Sequence, residues 1–197
     1  SHILFKASAG VHEKPPFYRE MRRPDGTINT QLKSQTRLPY VAGFASPVSK
    51  GNRPMRITTE AYFKSLSDVD PYDINNLQIT YFGENNARAY ATGIETRVFT
   101  ELVKDAESWF SLGISQTKEN INNDFYYTYK NASGEIITPK STDQVIADSA
   151  KTDIGYIRRP SDRLITMGLY LQDYLSPNKN FKVHLNMIYG SKMHYNI

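Results

Sequence analysis

The chain has 197 residues, which fits one domain of ordinary size or a piece of a larger protein and excludes two large domains. Fourteen tyrosines, nine phenylalanines, eleven glycines and ten prolines are typical of a folded chain rich in aromatics and turns, which argues against disorder. The absence of cysteine excludes thiolate nucleophiles, iron–sulfur clusters and cysteine-ligated zinc. The net charge of +4 is spread along the sequence, so no nucleic-acid partner is predicted.

Hydropathy separates two kinds of membrane protein. No stretch reaches the roughly 18 consecutive apolar residues of a spanning helix, so a helical membrane protein is not predicted. A membrane β-barrel stays open, because its strands need only about 9 to 11 residues of alternating character and their lumen-facing half is polar. The first residues have no signal-peptide pattern, so we expect that an export signal was removed or that the chain is an internal piece.

Period-2 alternation recurs along the chain, whereas helical periodicity is nearly absent, and this predicts an all-β fold. In chain order, the predicted strands are residues 2–12, 38–48, 53–66, 88–103, 108–118, 163–175 and 181–189, the first two being the weaker. Most of them are longer than the about five or six residues of a typical globular strand.

Each predicted strand has an apolar and a polar side. The apolar sides carry Met55, Ile57, Phe63, Ile94, Val98, Phe110, Leu112, Ile114, Ile165, Met167, Leu169, Leu171, Val183, Leu185 and Met187. The polar sides carry Arg56, Glu60, Lys64, Glu95, Arg97, Glu101, Tyr170, Gln172, Lys182, His184 and Asn186.

The connections alternate in length. Residues 13–37, 67–87 and 119–162 form long links, and residues 49–52, 104–107 and 176–180 form short ones. This alternation is typical of an up-and-down antiparallel barrel that has tight turns at one rim and elaborated loops at the other. The prediction is therefore an antiparallel up-and-down meander of about seven long strands with long loops at one rim, as in a transmembrane β-barrel.

An ordered set of motifs resembles the C-terminal half of the barrel of a TonB-dependent outer-membrane receptor. The motifs are residues 15–20 (PPFYRE), 53–62 (RPMRITTEAY), 72–74 (YDI), 81–87 (YFGENNA), 91–95 (ATGIE), 159–162 (RPSD) and 172–175 (QDYL). Such receptors are barrels of about 22 strands plugged by an N-terminal domain. Residues 1–197 are expected to be a partial barrel segment without plug domain, TonB box or closing strand.

The resemblance implies function and orientation as well as fold. It implies active nutrient uptake in the outer membrane of a Gram-negative bacterium, with the TonB energy-transducing complex, membrane lipid, a surface lipoprotein lid and a small or oligomeric nutrient as partners. It also places the short turns in the periplasm and the long links outside. The apolar sides would face lipid and the polar sides the lumen, where charge costs little.

No constellation of catalytic residues is recognised, so an enzyme is not predicted, and no cofactor or metal is expected. His2, His12, His184 and His194 lack the spacing of metal ligands. Two carboxylates, Glu60 and Glu95, are expected to form lumenal ion pairs with Arg56 or Arg97. Around Pro71, Asp68, Asp70 and Asp73 lack the glycine and terminal glutamate of a calcium loop. The acceptor sequence Asn131-Ala132-Ser133 is expected to carry no sugar.

Two groups of loop residues are candidates for ligand binding. Phe125, Tyr126, Tyr127 and Tyr129 offer flat amphipathic rings within the longest link, which is long enough to have a structure of its own. Arg158 and Arg159 precede the next strand and could meet an anionic group, although packing and solvation of the rim remain alternatives.

The alternative fold and function is a soluble or surface-exposed β-sandwich that binds a ligand such as a glycan. In a barrel, Ile165, Met167, Leu169 and Leu171 point outward to lipid, whereas in a sandwich they point toward a second sheet. The transported substrate cannot be read from these residues.

Overall fold

A computed structural model describes residues 2–50, 53–76, 78–103, 106–174 and 181–193. The strands are β1 (Leu4–Ala9), β2 (His12–Lys14), β3 (Gln35–Lys50), β4 (Arg53–Val69), β5 (Tyr72–Asn75), β6 (Gln78–Tyr81), β7 (Ala87–Val103), β8 (Ala106–Ile121), β9 (Phe125–Lys130), β10 (Asp148–Asp153), β11 (Ile157–Arg158), β12 (Ile165–Tyr174) and β13 (Lys182–Gly190). A single helical turn, α1, covers Tyr18–Met21 in this part of the chain.

One large antiparallel sheet dominates the fold. Its strands follow the order β1-β3-β4-β7-β8-β12-β13, with β2 paired to β3 and β11 to β8. The predicted all-β class and antiparallel meander are confirmed. The central strands β3, β4, β7 and β8 are 16 or 17 residues long. Over the described ranges the sheet is open, with β1 and β13 at its edges, and no closed barrel is seen.

The register of the strands separates the side chains into two faces, because directly paired residues share a face. On the apolar face, Ile57 pairs with Val98, Val98 with Phe110 and Phe110 with Leu169. Within this face, Ile94 pairs with Ile114, and the two side chains are 54% and 51% exposed. Apart from the large sheet, the described residues form only two-stranded sheets, so the second broad sheet of a sandwich is not found there.

Further structure lies within the three long links. Helix α1 lies in the first link, the hairpin β5–β6 in the second, and the hairpin β9–β10 with β11 in the third. The expectation that residues 119–162 have a structure of their own is confirmed. The predicted short turns at 49–52, 104–107 and 176–180 extend over residues 51–52, 104–105 and 176–180, which lie outside the described residues, as do Leu175 and His194.

A small cluster of buried apolar residues lies where the second long link leaves the sheet. Val69, Ala87 and Ala89 pack together, with Leu66 and Ile121 against them. A bulge between Leu66 and Val69 shifts the register of β4 against β7, and Asp68 within it has a left-handed backbone (φ 52°). No helix among the described residues is long and apolar enough to cross a membrane.

Candidate ligand-binding site

The three long links converge over the polar face of the sheet, in a cluster that we call the loop junction: Glu20, Asp70, Tyr72, Glu119 and Arg159. Arg159 is its centre. Its Nε lies 2.8 Å from the buried Glu119 Oε2, and its guanidinium carbon lies 4.7 Å from the centre of the Tyr72 ring. It also donates a long hydrogen bond of 3.5 Å to the carbonyl of Asp70. One arginine thereby holds β8 against the second and third links.

The turn that follows Arg159 is fastened to β8. The Arg159 amide donates to the Thr117 carbonyl (3.1 Å), and the Thr117 amide donates to Asp162 Oδ1 (2.7 Å). Ser161 exchanges a hydroxyl hydrogen bond with Tyr72, while Arg158 lies 4.0 Å from the buried Asp162 carboxylate. The two arginines predicted as a pair therefore differ, since Arg159 is central to the junction and Arg158 lies beside it.

The first link is fastened to the second by amide side chains. Asn85 accepts a hydrogen bond from the Lys33 amide (2.6 Å) and donates to the carbonyls of Lys33 (3.1 Å) and Asp68 (2.7 Å). In the same region, Asn29 donates to the Gly83 carbonyl (2.8 Å). Motifs that lie far apart in the sequence therefore meet at one end of the sheet.

A cavity of about 150 Å³ lies within the loop junction, between Lys14, Glu20, Asp70, Tyr81 and Arg159. Burial raises the pKa of the Asp70 carboxyl to about 6, an effect strengthened by Glu20 and opposed by hydrogen bonds from the amides of Glu84 and Gly83 and by the charge of Arg159. The Glu84 amide lies 3.1 Å from Asp70 Oδ1. The cavity presents both signs of charge and has room for only a few waters or a small polar group.

The hairpin β9–β10 carries the predicted aromatic residues. Phe125, Tyr127 and Tyr129 alternate onto one of its faces, where successive ring centres are 5.5 and 6.2 Å apart. Lys151, paired with Tyr127, places its ammonium 3.6 Å from the centre of the Phe125 ring. Tyr126 lies on the other face, and all three tyrosines are exposed. The hairpin thus offers an aromatic strip with a cation over the Phe125 ring at one end.

The charged residues of the polar face pair differently from the expectation. Glu60 forms its ion pair with Lys6 of β1, across Gly43, where a Cβ would press on Glu60. Among the described residues neither Arg56 nor Arg97 makes an ion pair, and their guanidinium carbons lie 4.9 and 5.8 Å from the centre of the Phe99 ring. The predicted pairing of Glu60 with Arg56 or Arg97 is wrong, because Lys6 reaches Glu60 and Phe99 attracts both arginines.

The remaining predicted lumenal residues also lie on the polar face. Lys64 places its ammonium 4.2 Å from the centre of the Tyr62 ring, and Glu95 lies directly opposite Glu60. Toward the β13 edge, Tyr170 is paired with Asn186, and Gln172 with His184. Sequence reasoning missed Lys6, Phe99, Glu119 and Trp109. Of these, Glu119 could have been singled out from the sequence as a charged residue near the end of a predicted strand. The contact partners of all four residues depend on the register between strands.

Two further sequence features are placed by the structure. Within the described residues, no three His, Asp or Glu side chains are grouped so as to hold a metal ion, and this applies to Asp68, Asp70 and Asp73. The side chain of Asn131 is buried and accepts hydrogen bonds from Ser133 Oγ (2.7 Å) and the Glu135 amide (2.9 Å). It therefore organises a turn.

Comparison of the chain with protein-family models, with curated proteins and with solved structures finds no match.

Proposed function

We propose that this chain is part of the wall of a transmembrane β-barrel in the outer membrane of a Gram-negative bacterium, and that the barrel is a TonB-dependent receptor for nutrient uptake. The receptor would bind and transport a nutrient, without catalysing a reaction. One observation carries the proposal. Across seven neighbouring strands, the central four of which are 16 or 17 residues long, the register places most apolar side chains on one face and most charged ones on the other, and the long connections lie at one end only.

An aromatic row on the apolar face supports the same proposal. The rings of Phe63 and Tyr90 lie 6.0 Å apart and those of Tyr90 and Tyr156 5.2 Å apart, with Tyr40 paired to Phe63. From Tyr40 to Val48 the strand spans about 27 Å. At a strand tilt of about 40° this gives an apolar band about 20 Å tall, comparable with the about 25 Å band and aromatic girdle of outer-membrane barrels.

In this proposal the loop junction and the hairpin β9–β10 lie at the outer mouth. Phe125, Tyr126, Tyr127 and Tyr129 would meet the nutrient or a surface lipoprotein lid, and Arg158 and Arg159 would border the same region. Energy would come from the TonB complex, acting through parts of the receptor outside these residues.

Labelling of single cysteines tests the proposal, because the chain contains no cysteine of its own. Ile94 and Glu95 are neighbours on β7, both exposed and on opposite faces. In isolated outer membranes we expect Glu95→Cys to react with a membrane-impermeant maleimide, and Ile94→Cys to react only with a lipid-soluble one.

The same pair distinguishes the barrel from a sandwich. In a sandwich, Ile94→Cys would resist both reagents, because its side chain would be packed against protein, and the polypeptide would not fractionate with outer membranes. Rapid reaction of Ile94→Cys with the impermeant reagent would contradict both folds.

A further inference from the structure

Three aromatic side chains on the polar face form a continuous run that neither the loop junction nor the hairpin includes. Trp109 of β8, Tyr170 of β12 and His184 of β13 lie on adjacent strands, and we call them the aromatic track. The ring centres of Trp109 and Tyr170 are 6.0 Å apart with an angle of 15° between the planes. Those of Tyr170 and His184 are 6.0 Å apart at 19°.

The spacing determines how the rings overlap. Rings stacked face to face lie about 3.5 to 4 Å apart, whereas the centres of these nearly parallel rings lie 6.0 Å apart. Neither ring of a pair therefore fully covers the face of the other. His184 is exposed, while Trp109 and Tyr170 are half-buried.

The backbone leaves room for this arrangement. A Cβ at Gly168 would lie 2.9 Å from Trp109 Cζ3 and 3.3 Å from Cη2, so the indole lies across the glycine of the neighbouring strand. Any larger residue at position 168 would push the indole away. At the next step, the Tyr170 hydroxyl and His184 Nδ1 are 3.3 Å apart, which fixes the orientation of both rings.

Polar side chains border the track. Asn186 is paired with Tyr170, and Gln172 with His184, so two amides that donate and accept hydrogen bonds stand beside the rings. Beyond Trp109, Phe99 is its direct partner on β7, with the guanidinium groups of Arg56 and Arg97 above the Phe99 ring. An apolar floor with hydrogen-bonding edges fits a ligand that has apolar faces and polar edges.

We propose that the aromatic track binds linear oligosaccharides, whose pyranose rings have C–H faces that stack on aromatic rings and hydroxyl edges that reach amides and guanidinium groups. This inference rests on the proposed uptake function and names a substrate class for it. An acyl chain would leave the amides and arginines unpaired, and burying such groups without partners is costly. Successive rings along a sugar chain would contact successive side chains of the track.

The single tryptophan of the chain reports directly on this site. The protein is studied in detergent micelles, and a β-sheet circular dichroism spectrum shows that it is folded. When maltoheptaose is added, we expect the emission maximum of Trp109 to shift and its fluorescence intensity to fall, until both signals reach a plateau. Tyr170→Leu is expected to raise the dissociation constant about five- to tenfold, the scale of one aromatic contact. The matched control is Tyr189→Leu, a tyrosine of β13 that pairs with Met167 on the apolar face and should change the constant less than about twofold.

A second measurement separates binding from folding, since maltoheptaose should also protect Tyr170 from chemical nitration more than Tyr189. Three results would overturn the proposal. These are the lack of a saturable fluorescence change in the folded protein, an equal weakening of sugar binding in the two variants, and tight binding of a flat aromatic such as indole in place of the sugar. These outcomes leave the labelling of Ile94→Cys and Glu95→Cys unaffected, so failure of the sugar site and failure of the receptor proposal are distinguishable.

Discussion

Arg159 is the single side chain on which the loop junction depends most. It faces a Glu119 side chain that is only 3% exposed, so its removal leaves a buried carboxylate without its cation. We expect Arg159→Met to destabilise the folded state by about 3 to 5 kcal/mol, the usual cost of breaking a buried ion pair from one side. Urea unfolding in detergent micelles measures this value.

The adjacent arginine provides the matched control. Arg158 is 32% exposed and lies farther from its carboxylate, at 4.0 Å, and the buried Asp162 also accepts a hydrogen bond from the Thr117 amide, so Arg158→Met should cost less than Arg159→Met, about 1 to 2 kcal/mol. The double variant Glu119→Gln with Arg159→Met should recover part of the loss, because no isolated charge stays buried. Equal costs for the two single arginine variants would contradict the central role of Arg159.

Asp70 should make the loop junction sensitive to pH. Its folded pKa of about 6 lies above the ordinary value of 3.8, so the folded state binds more protons than the unfolded state between about pH 4 and 6. Stability is therefore expected to fall as the pH rises through this window. Allowing for partial solvent exposure, the loss is about 1 to 2 kcal/mol.

Hydrogen exchange of peptides covering residues 68–72 and 82–86, corrected for intrinsic rates, measures this loss at pH 4 and pH 7.5. In Asp70→Asn the pH dependence should become smaller, because the amide oxygen still accepts from the Glu84 amide and carries no charge. A remainder of the same sign is expected from Glu119, because burial raises the pKa of its carboxyl, against the opposing charge of Arg159. Asp25→Asn serves as the control: Thr27 hydrogen bonds lower the pKa of this fully exposed carboxyl, so it has no such effect in that window. An undiminished pH dependence in Asp70→Asn would assign the effect to another group, such as Glu119.

At the scale of elements, the structure of the hairpin β9–β10 shows which of its tyrosines share a face, and the sequence alone did not distinguish them. Tyr127 and Tyr129 share a face with Phe125 and Lys151, whereas Tyr126 lies on the other face. Replacement of Tyr126, Tyr127 and Tyr129 by serine is expected to weaken ligand capture by whole cells by a few kcal/mol at most, with barrel assembly unchanged.

Single variants identify the face involved. Tyr127→Ser and Tyr129→Ser should each reduce capture, and Tyr126→Ser should leave it near the original level, as judged by binding of labelled nutrient to cells with equal surface amounts of receptor. If the triple variant assembles normally and captures ligand as before, the hairpin is structural. If Tyr126→Ser alone reduces capture, the active face has been misassigned.

The elements were predictable to different degrees for physical reasons. Alternation identified β4, β7, β8, β12 and β13, because one apolar face forces a period of two. The structures inside the long links were not predicted as elements, since β5, β6 and β11 are too short to show a period. The convergence of the links depends on hydrogen bonds such as that of Asn85 to Lys33, 52 residues apart, which no local pattern encodes.

The site residues show the same division. The aromatic run from Phe125 to Tyr129 was visible because tyrosines are concentrated there, and the alternation alone placed Tyr170 and His184 on the polar face. Their contact with Trp109 required the register of β8, β12 and β13, and the attraction of Arg56 and Arg97 to Phe99 required that of β4 and β7. The sequence pattern therefore predicts on which face of the sheet a side chain lies, whereas its contact partners depend on the register between strands.

For the whole molecule, the exposed surface area is larger than that expected for a compact soluble protein of this mass. The chain exposes 14088 Å². A compact soluble monomer of 22.5 kDa is expected to expose about 9,500 Å². The excess is more than twice the about 1,600 Å² buried in a standard protein–protein interface. Much of it is the uncovered apolar face, to which the unpaired edges of β1 and β13 add open backbone groups.

We therefore expect that the chain does not persist as a soluble monomer. Without detergent it should self-associate through its edge strands and its apolar face. Detergent should disperse it, because the detergent tails cover the apolar face. Further barrel strands should also disperse it, because they pair with the open backbone groups of the edge strands. Sedimentation velocity at low concentration, with and without detergent, measures this. A compact detergent-free monomer would mean that some other part of the polypeptide covers Ile94, Ile114 and their neighbours, which would argue against an outward lipid-facing surface and for the sandwich.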